Sequence, residues 1–168
     1  MVGDSITNLY GTTDTWPALT GNSHAGNYGV PSNNTSQMLA RMPGILRNKP
    51  RAVFLMGGVN DLTTGVSTAT GISNVQSMIA LCQEAGVPIY VLAILRVTSA
   101  YPNSVSFNAS IDSKNSAFQS AVTAAGATWI DFRNNLLDAH YQGDGIHVAH
   151  AGNVIWAASI EPYTSLYP

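Results

Sequence analysis

The sequence predicts an α/β fold, an open and mostly parallel sheet covered by helices. Residues 52–56 and 88–95 form two continuous apolar runs of strand length. Such runs are typical of parallel strands that are buried on both faces. Segments with apolar residues at helical spacing alternate with these runs along the chain. This alternation favours a parallel sheet with helices packed against it.

The elements that follow the first run are predicted from periodicity. The segment between the two runs is a helix that ends before Gly86 and Pro88, because glycine and proline commonly terminate helices. Its apolar positions are Ile72, Val75, Met78, Ile79 and Cys82. A second helix is predicted over residues 108–125, a strand over residues 127–130 and a closing helix over residues 150–160.

The remaining segments predict loops and a single domain. Residues 20–37, 60–71 and 97–106 are rich in Gly, Asn, Ser and Thr, which favour turns and loops. The chain has 168 residues without an internal repeat or a linker, and this length is typical of one domain spanning residues 1–168. Only Met1 and Val2 precede the first motif described below, so we expect either a very short first strand or a chain that is a piece of a longer protein.

The composition excludes several classes of function. Charged residues make up 10% of the chain and the formal net charge is −2, so there is no broad basic surface for nucleic acid or an anionic membrane. We therefore expect neither nucleic acid nor a membrane as a partner, while the oligomeric state stays open. A surface of Ser, Thr and Asn suits a neutral substrate. It also favours, as a compositional hint, a secreted protein or part of a larger extracellular one.

The single cysteine and the histidines do not predict a metal site or a cofactor. Cys82 lies in an apolar helical pattern and is interpreted as a buried core residue. His147 and His150 are three residues apart, but no third ligand is evident. No apolar run reaches the roughly 18 residues that a membrane-spanning helix needs.

Four short motifs carry the chemistry. They are Gly3-Asp4-Ser5, Gly29 within Asn-Tyr-Gly-Val, Gly58-Val-Asn60-Asp61 and Asp144-Gly-Ile-His147. A serine hydroxyl needs a base to become a nucleophile, and a histidine oriented by a carboxylate can supply it. Backbone N–H groups and an asparagine amide can bind the oxyanion that forms during acyl transfer. Each residue alone has a plainer interpretation, such as a helix cap or a turn, whereas their joint occurrence favours catalysis.

In this order the motifs resemble the four blocks of the SGNH hydrolases, also called GDSL esterases, from Gly3 to about residue 152. The resemblance implies a three-layer, flavodoxin-like α/β/α fold with a mostly parallel sheet of about five strands. It also implies a catalytic triad of Ser5, Asp144 and His147, with an oxyanion hole formed by Ser5, Gly29 and Asn60. Asp4 and Asp61 are interpreted as partners of neighbouring backbone.

The sequence departs from the family pattern near the second and fourth blocks. Family members usually continue the second block with another Gly and a Thr, whereas here Gly29 is followed by Val30-Pro31-Ser32-Asn33. The proline that often follows the catalytic histidine is replaced by Val148. Neither difference removes a catalytic group.

The substrate is predicted from the absence of a lid insertion in the sequence and from the aromatic residues near the motifs. No insertion is long enough for a lid, so a small acyl group fits better than a long chain. Four aromatic residues are candidate substrate contacts, although packing beneath loops explains them equally well: Tyr10, Trp16, Tyr28 and Tyr101. We predict a serine esterase acting on short-chain esters, foremost O-acetyl groups on a carbohydrate. The alternatives are a lysophospholipase or thioesterase of the same fold, or a weakly active carbohydrate-binding module.

Overall fold

A computed structural model describes residues 1–8, 15–21 and 25–167 of the chain. It contains a five-stranded sheet in the order β2-β1-β3-β4-β5, in which every neighbouring pair is parallel. The strands are β1 (Val2–Gly3), β2 (Tyr28–Gly29), β3 (Val53–Met56), β4 (Ile89–Leu92) and β5 (Thr128–Ile130). The predicted α/β class with a parallel sheet is confirmed.

The helices cover the sheet on both sides. They are α1 (Ser5–Asn8), α2 (Trp16–Leu19), α3 (Thr35–Leu46), α4 (Val59–Thr64), α5 (Thr68–Glu84), α6 (Ser104–Ala124) and α7 (His150–Thr164). Helix α5 packs between α3 and α6, and α2 packs on α7. Every residue of β3 and β4 is buried, as the two apolar runs predicted. Among the described residues, no helix has both the length and the apolar character needed to cross a bilayer.

The prediction of a loop over residues 20–37 is wrong in two places, because this range contains a strand and the start of a helix. Residues 28–29 pair with β1 as β2, and α3 begins at Thr35. Helix α3 buries Met38, Met42 and Ile45 along one face. Its start is fixed by Asn34, whose side chain accepts a hydrogen bond from the Gln37 N–H. This helix was not predicted because Pro43 lies inside it, and a proline inside a helix normally removes a hydrogen bond and kinks or ends the helix.

The other boundaries move by a few residues. The predicted loop over residues 60–71 is wrong for most of its length, because residues 60–64 belong to α4 and residues 68–71 form the first turn of α5. The Ser67 side chain accepts from the Thr70 N–H and starts α5 earlier than its apolar stripe indicated. Helix α6 also begins earlier, at Ser104. Cys82 is fully buried, and burial raises the pKa of its thiol to about 11, so the interpretation as a core residue is confirmed.

Candidate active site

Residues from distant parts of the chain meet beyond the carboxyl ends of the strands. Ser5 follows β1 and opens α1, Asn60 lies in the first turn of α4 after β3, and His147 lies just before α7. In a parallel sheet these carboxyl ends lie along one edge, where open α/β folds form their binding sites. The topology therefore places the three motif residues at the same side of the molecule.

A chain of two hydrogen bonds connects Ser5, His147 and Asp144. The Ser5 Oγ lies 2.9 Å from His147 Nε2, and His147 Nδ1 lies 2.6 Å from Asp144 Oδ2. With the Nδ1 proton directed to the carboxylate, Nε2 is left as an acceptor for the serine hydroxyl. The side chain of His147 is 17% exposed and that of Asp144 is 46% exposed, so the arrangement is open to solvent.

The loop that carries Asp144 and His147 folds around the carboxylate. Asp144 Oδ1 accepts the N–H groups of Ile146 and His147 at 3.1 Å and 3.0 Å. Burial by itself would raise the pKa of Asp144, but the hydrogen bonds from the His147 ring and from the two N–H groups outweigh it, so the pKa is lowered overall. The carboxylate is thus held in its charged form beside the imidazole.

Gly145 holds this loop against the segment after β4. Its φ is +74°, and its carbonyl accepts the Thr98 N–H at 2.8 Å. A Cβ added at Gly145 would lie 2.7 Å from both Thr98 Oγ1 and the Tyr101 backbone nitrogen. Only glycine combines this backbone conformation with so close an approach.

Asp4 lies beneath the serine and does not face solvent. Its side chain is fully buried, and Oδ1 accepts the Ile6 N–H at 2.9 Å, as the sequence interpretation of a backbone partner requires. Burial raises the pKa of Asp4 to about 7, against opposing effects from the Ile6 N–H and the nearby His147. Asp4 Oδ2 finds no hydrogen-bond partner within the described ranges.

Asn60 is held in place by a polar cluster under α3 and α4. Its Nδ2 donates to the Asn33 carbonyl at 3.0 Å, which uses one of its two N–H bonds. The neighbouring Asp61 accepts the N–H of Thr35 at 2.8 Å and the Thr35 hydroxyl at 3.0 Å. Asp61 therefore bonds the backbone of another helix, α3, rather than its own turn.

The charge of Asp61 is balanced by Lys114, a residue that the sequence analysis did not single out. Lys114 Nζ lies 2.9 Å from Asp61 Oδ2, and the two side chains are 1% and 0% exposed. The signal was present in the sequence, because Lys114 falls three residues after Ile111 and four before Phe118, on the buried stripe of α6. A lysine on such a stripe needs a buried acidic partner.

The backbone N–H of Gly29 is already occupied. It donates to Asn27 Oδ1 at 2.9 Å, and a Cβ at Gly29 would contact the backbone of Asn8 at the end of α1. Packing against α1 therefore explains this glycine. Further along the same segment, Ser32 has a φ of +62° in a turn closed by the Asn33 N–H and the Val30 carbonyl.

Two of the four aromatic candidates lie away from the site. Trp16 is fully buried and stacks on Trp156 with ring centroids 4.6 Å apart, so its interpretation as a substrate contact is wrong. Tyr28 is wrong as well: its hydroxyl accepts from Asn48, and it lines a cavity with Met1 and Pro50 at the amino ends of the strands. Tyr10 lies outside the described residues, and Tyr101 stays next to the Asp144 loop.

Comparison with protein families decides the relationship that the motifs suggested. The model of the GDSL-like lipase/acylhydrolase family matches residues 1–155. The chain belongs to this family. This GDSL-like protein is therefore an ester hydrolase at the level of its family, and the resemblance stated from the four motifs is confirmed. A search of curated proteins by sequence found no match.

Solved structures support the same fold. A GDSL-like lipase from Bacteroides thetaiotaomicron matches with a TM-score of 0.82 and 20% identity, over 99% of this chain and 87% of that one. A member of the lipolytic G-D-S-L family from Veillonella parvula matches with a TM-score of 0.80 and 17% identity, over 98% and 96%. The acetyl xylan esterase AlAXEase matches with a TM-score of 0.79 and 17% identity, over 96% of each chain. Because the sequence identities are 20% or lower, these comparisons show that the GDSL-like chain shares the fold of these proteins and no more.

Proposed function

We propose that this GDSL-like hydrolase is a serine esterase that cleaves short-chain carboxylic esters through an acyl-enzyme. The observation that carries the proposal is the hydrogen-bond chain from Ser5 through His147 to Asp144, with distances of 2.9 Å and 2.6 Å. A hydroxyl, an imidazole and a carboxylate in this sequence of contacts form the arrangement that activates a serine for acyl transfer.

The reaction follows from these contacts in two halves. Ser5 Oγ attacks the ester carbonyl carbon while His147 Nε2 takes the hydroxyl proton, and Asp144 stabilises the imidazolium. The carbonyl re-forms, the C–O bond to the alcohol breaks, and the alcohol leaves with the proton from His147. Water then gives a proton to His147 and attacks the acyl-enzyme, which releases the acid and restores Ser5.

The oxyanion is stabilised by donors at the helix starts. The Ser5 N–H belongs to the first turn of α1, where N–H groups have no carbonyl four residues earlier within the helix. The second N–H of the Asn60 amide supplies another donor. The sequence assigned a third donor to Gly29, whose N–H is bonded to Asn27. We infer that Gly29 becomes the third donor when Asn27 releases its N–H.

The substrate is a small acyl group on a larger neutral alcohol, with an O-acetylated carbohydrate as the leading class. Support comes from the open site, in which Asp144 is 46% exposed, because an open site gives a long acyl chain little apolar wall. The fold shared with AlAXEase, which is an acetyl xylan esterase, is consistent with this class. A lysophospholipase or thioesterase would instead require such a wall.

Hydrolysis of p-nitrophenyl acetate by Ser5→Ala tests the proposal. We expect turnover to fall by roughly 10³-fold or more, with the fold retained by circular dichroism. Ser120→Ala is the matched control, because the exposed Ser120 hydroxyl only bonds the Ser116 carbonyl on α6. Full turnover by Ser5→Ala would overturn the proposal. A series from acetyl to decanoyl esters then separates the short-chain esterase, which prefers acetyl, from the lysophospholipase alternative.

A further inference from the structure

A groove next to the Asp144 loop has the chemistry of a carbohydrate subsite. It has a volume of about 460 Å³, which falls within the range of small-molecule sites. Its lining consists of the segment after β4 and the first two turns of α6: Tyr101, Pro102, Asn103, Ser106, Phe107 and Ser110. None of these lining side chains carries a charge.

The aromatic part of the groove is a fixed wall. The rings of Tyr101 and Phe107 pack with centroids 4.9 Å apart and planes inclined by 39°, so each ring restrains the other. The segment that carries Tyr101 is tied down by Asn108, whose side chain bonds both the N–H and the carbonyl of Val97 at 2.8 Å. A wall that is ordered in advance loses little entropy when a ligand binds.

The polar part of the groove offers hydroxyl and amide groups without competing charges. Ser106 and Ser110 are exposed and each donates only to a backbone carbonyl of its own segment, so their oxygens remain available as acceptors. Asn103 precedes α6 with a φ of +54°, and its side chain makes no capping bond to the helix. A side chain at this position usually caps the helix, so its amide is left for another partner.

The groove is joined to the catalytic loop by direct contact. The Thr98 N–H donates to the Gly145 carbonyl at 2.8 Å, and the Tyr101 backbone nitrogen lies against Gly145. Gly145 stands directly after Asp144, the carboxylate that holds His147. The groove therefore lies next to the loop that carries Asp144 and His147.

We propose that the groove lined by Tyr101 and Phe107 binds a neutral sugar ring of the alcohol part of the substrate. The apolar C–H face of a pyranose packs on an aromatic ring, while its hydroxyls bond amides and hydroxyls such as those of Asn103, Ser106 and Ser110. The uncharged lining matches a neutral sugar, because it holds no Arg or Lys to pair with a phosphate or carboxylate. This inference rests on the proposed function and assigns the residues that select its alcohol.

The test fills the groove and compares two substrates. Ser110→Trp places a large ring in the groove, and Ser120→Trp is its matched control, because both serines are exposed on α6 and bond the carbonyl four residues earlier. The substrates are p-nitrophenyl acetate and a panel of O-acetylated xylo-, manno- and gluco-trisaccharides. We expect Ser110→Trp to lower the ratio of kcat/KM for at least one trisaccharide to that for p-nitrophenyl acetate by about fivefold or more, with Ser120→Trp unchanged.

A binding measurement keeps this result separate from catalysis. Unesterified trisaccharides are titrated into Ser5→Ala, and into the same protein with Tyr101→Ala or Tyr101→Phe added. We expect the affinity to fall with Tyr101→Ala and to be retained with Tyr101→Phe. An unchanged substrate ratio in Ser110→Trp, or no difference between the two Tyr101 variants, would overturn the inference. Failure of the proposed function would instead show as full turnover by Ser5→Ala, independently of the trisaccharide affinities and of the substrate ratio.

Discussion

Ser5 Oγ lies 2.9 Å from His147 Nε2, although 142 positions separate the two residues in the chain. The contact exists because β1 delivers Ser5 to the carboxyl edge of the sheet and the Asp144 loop returns to that edge before α7. His147 is in turn held by Asp144 at 2.6 Å.

Replacing Asp144 by asparagine is expected to disable the base while the loop survives. The Asn oxygen can still accept the N–H groups of Ile146 and His147, but an amide N–H facing Nδ1 favours the tautomer that carries its proton on Nε2. We expect kcat to fall by roughly 10²–10⁴-fold, measured with p-nitrophenyl acetate. Asp138→Asn, outside the site, serves as control. A kcat within about twofold of wild type would remove Asp144 from the mechanism.

A methyl group at Gly145 is expected to displace the catalytic loop. The backbone has a φ of +74°, and the new Cβ would collide with Thr98 Oγ1 and the Tyr101 nitrogen at 2.7 Å. We expect Gly145→Ala to lose about 1–3 kcal/mol of unfolding free energy in urea, together with most of kcat. Gly143→Ala is the control, since among the described residues, apart from its chain neighbours, no atom lies within 4 Å of a Cβ there. Equal behaviour of the two variants would contradict the close approach.

Removing Lys114 alone is expected to destabilise the fold more than removing both charges of the Lys114–Asp61 pair. Lys114→Met leaves the buried Asp61 carboxylate without its cation, at a cost of about 3–5 kcal/mol. The double variant Lys114→Met with Asp61→Asn should recover part of this loss, because no buried charge remains. Urea unfolding of the wild type, Lys114→Met, Asp61→Asn and the double variant measures the coupling. The exposed Lys49 provides the control variant Lys49→Met, and a loss in Lys114→Met no larger than in this control would refute the prediction.

Asp4→Asn is expected to stabilise the protein increasingly at higher pH. The pKa of Asp4 is raised to about 7 by burial, so between about pH 4 and pH 7 the folded state binds more protons than the unfolded state. The unfolding free energy of the wild type therefore falls as pH rises through this window, and the loss is complete above about pH 7. The difference in unfolding free energy, variant minus wild type, should grow by roughly 1–3 kcal/mol from pH 5 to pH 8. A difference that is constant with pH would contradict it.

The four motifs could be predicted from sequence because their chemistry and strand positions are local. Ser5 and Asn60 follow strands, so a parallel sheet brings them to one edge. Asp144 lies three residues before His147, close enough in the chain to reach its ring. The wrong interpretations of Trp16 and Tyr28 have a different origin. Whether an aromatic ring lies in the core or at a site depends on which distant residue it meets, such as Trp156 for Trp16.

The same limit explains what the sequence did not reveal about the oxyanion hole. A glycine in the second motif is compatible with both a hole donor and a packing contact, and only the tertiary structure shows that Asn27 takes the Gly29 N–H. The Lys114–Asp61 pair was missed for a similar reason. It joins α6 to α4, and the apolar periodicity of one helix does not show which other helix it contacts.

Labelling with a fluorophosphonate probe tests the central claim most directly. The probe reacts with a serine that a neighbouring base has activated and forms a stable adduct on its oxygen. We expect one adduct per chain, located on Ser5 by peptide mass spectrometry, and little labelling of His147→Ala. An adduct on a different residue, or no adduct on a folded protein that hydrolyses p-nitrophenyl acetate, would contradict the assignment of Ser5 as the nucleophile.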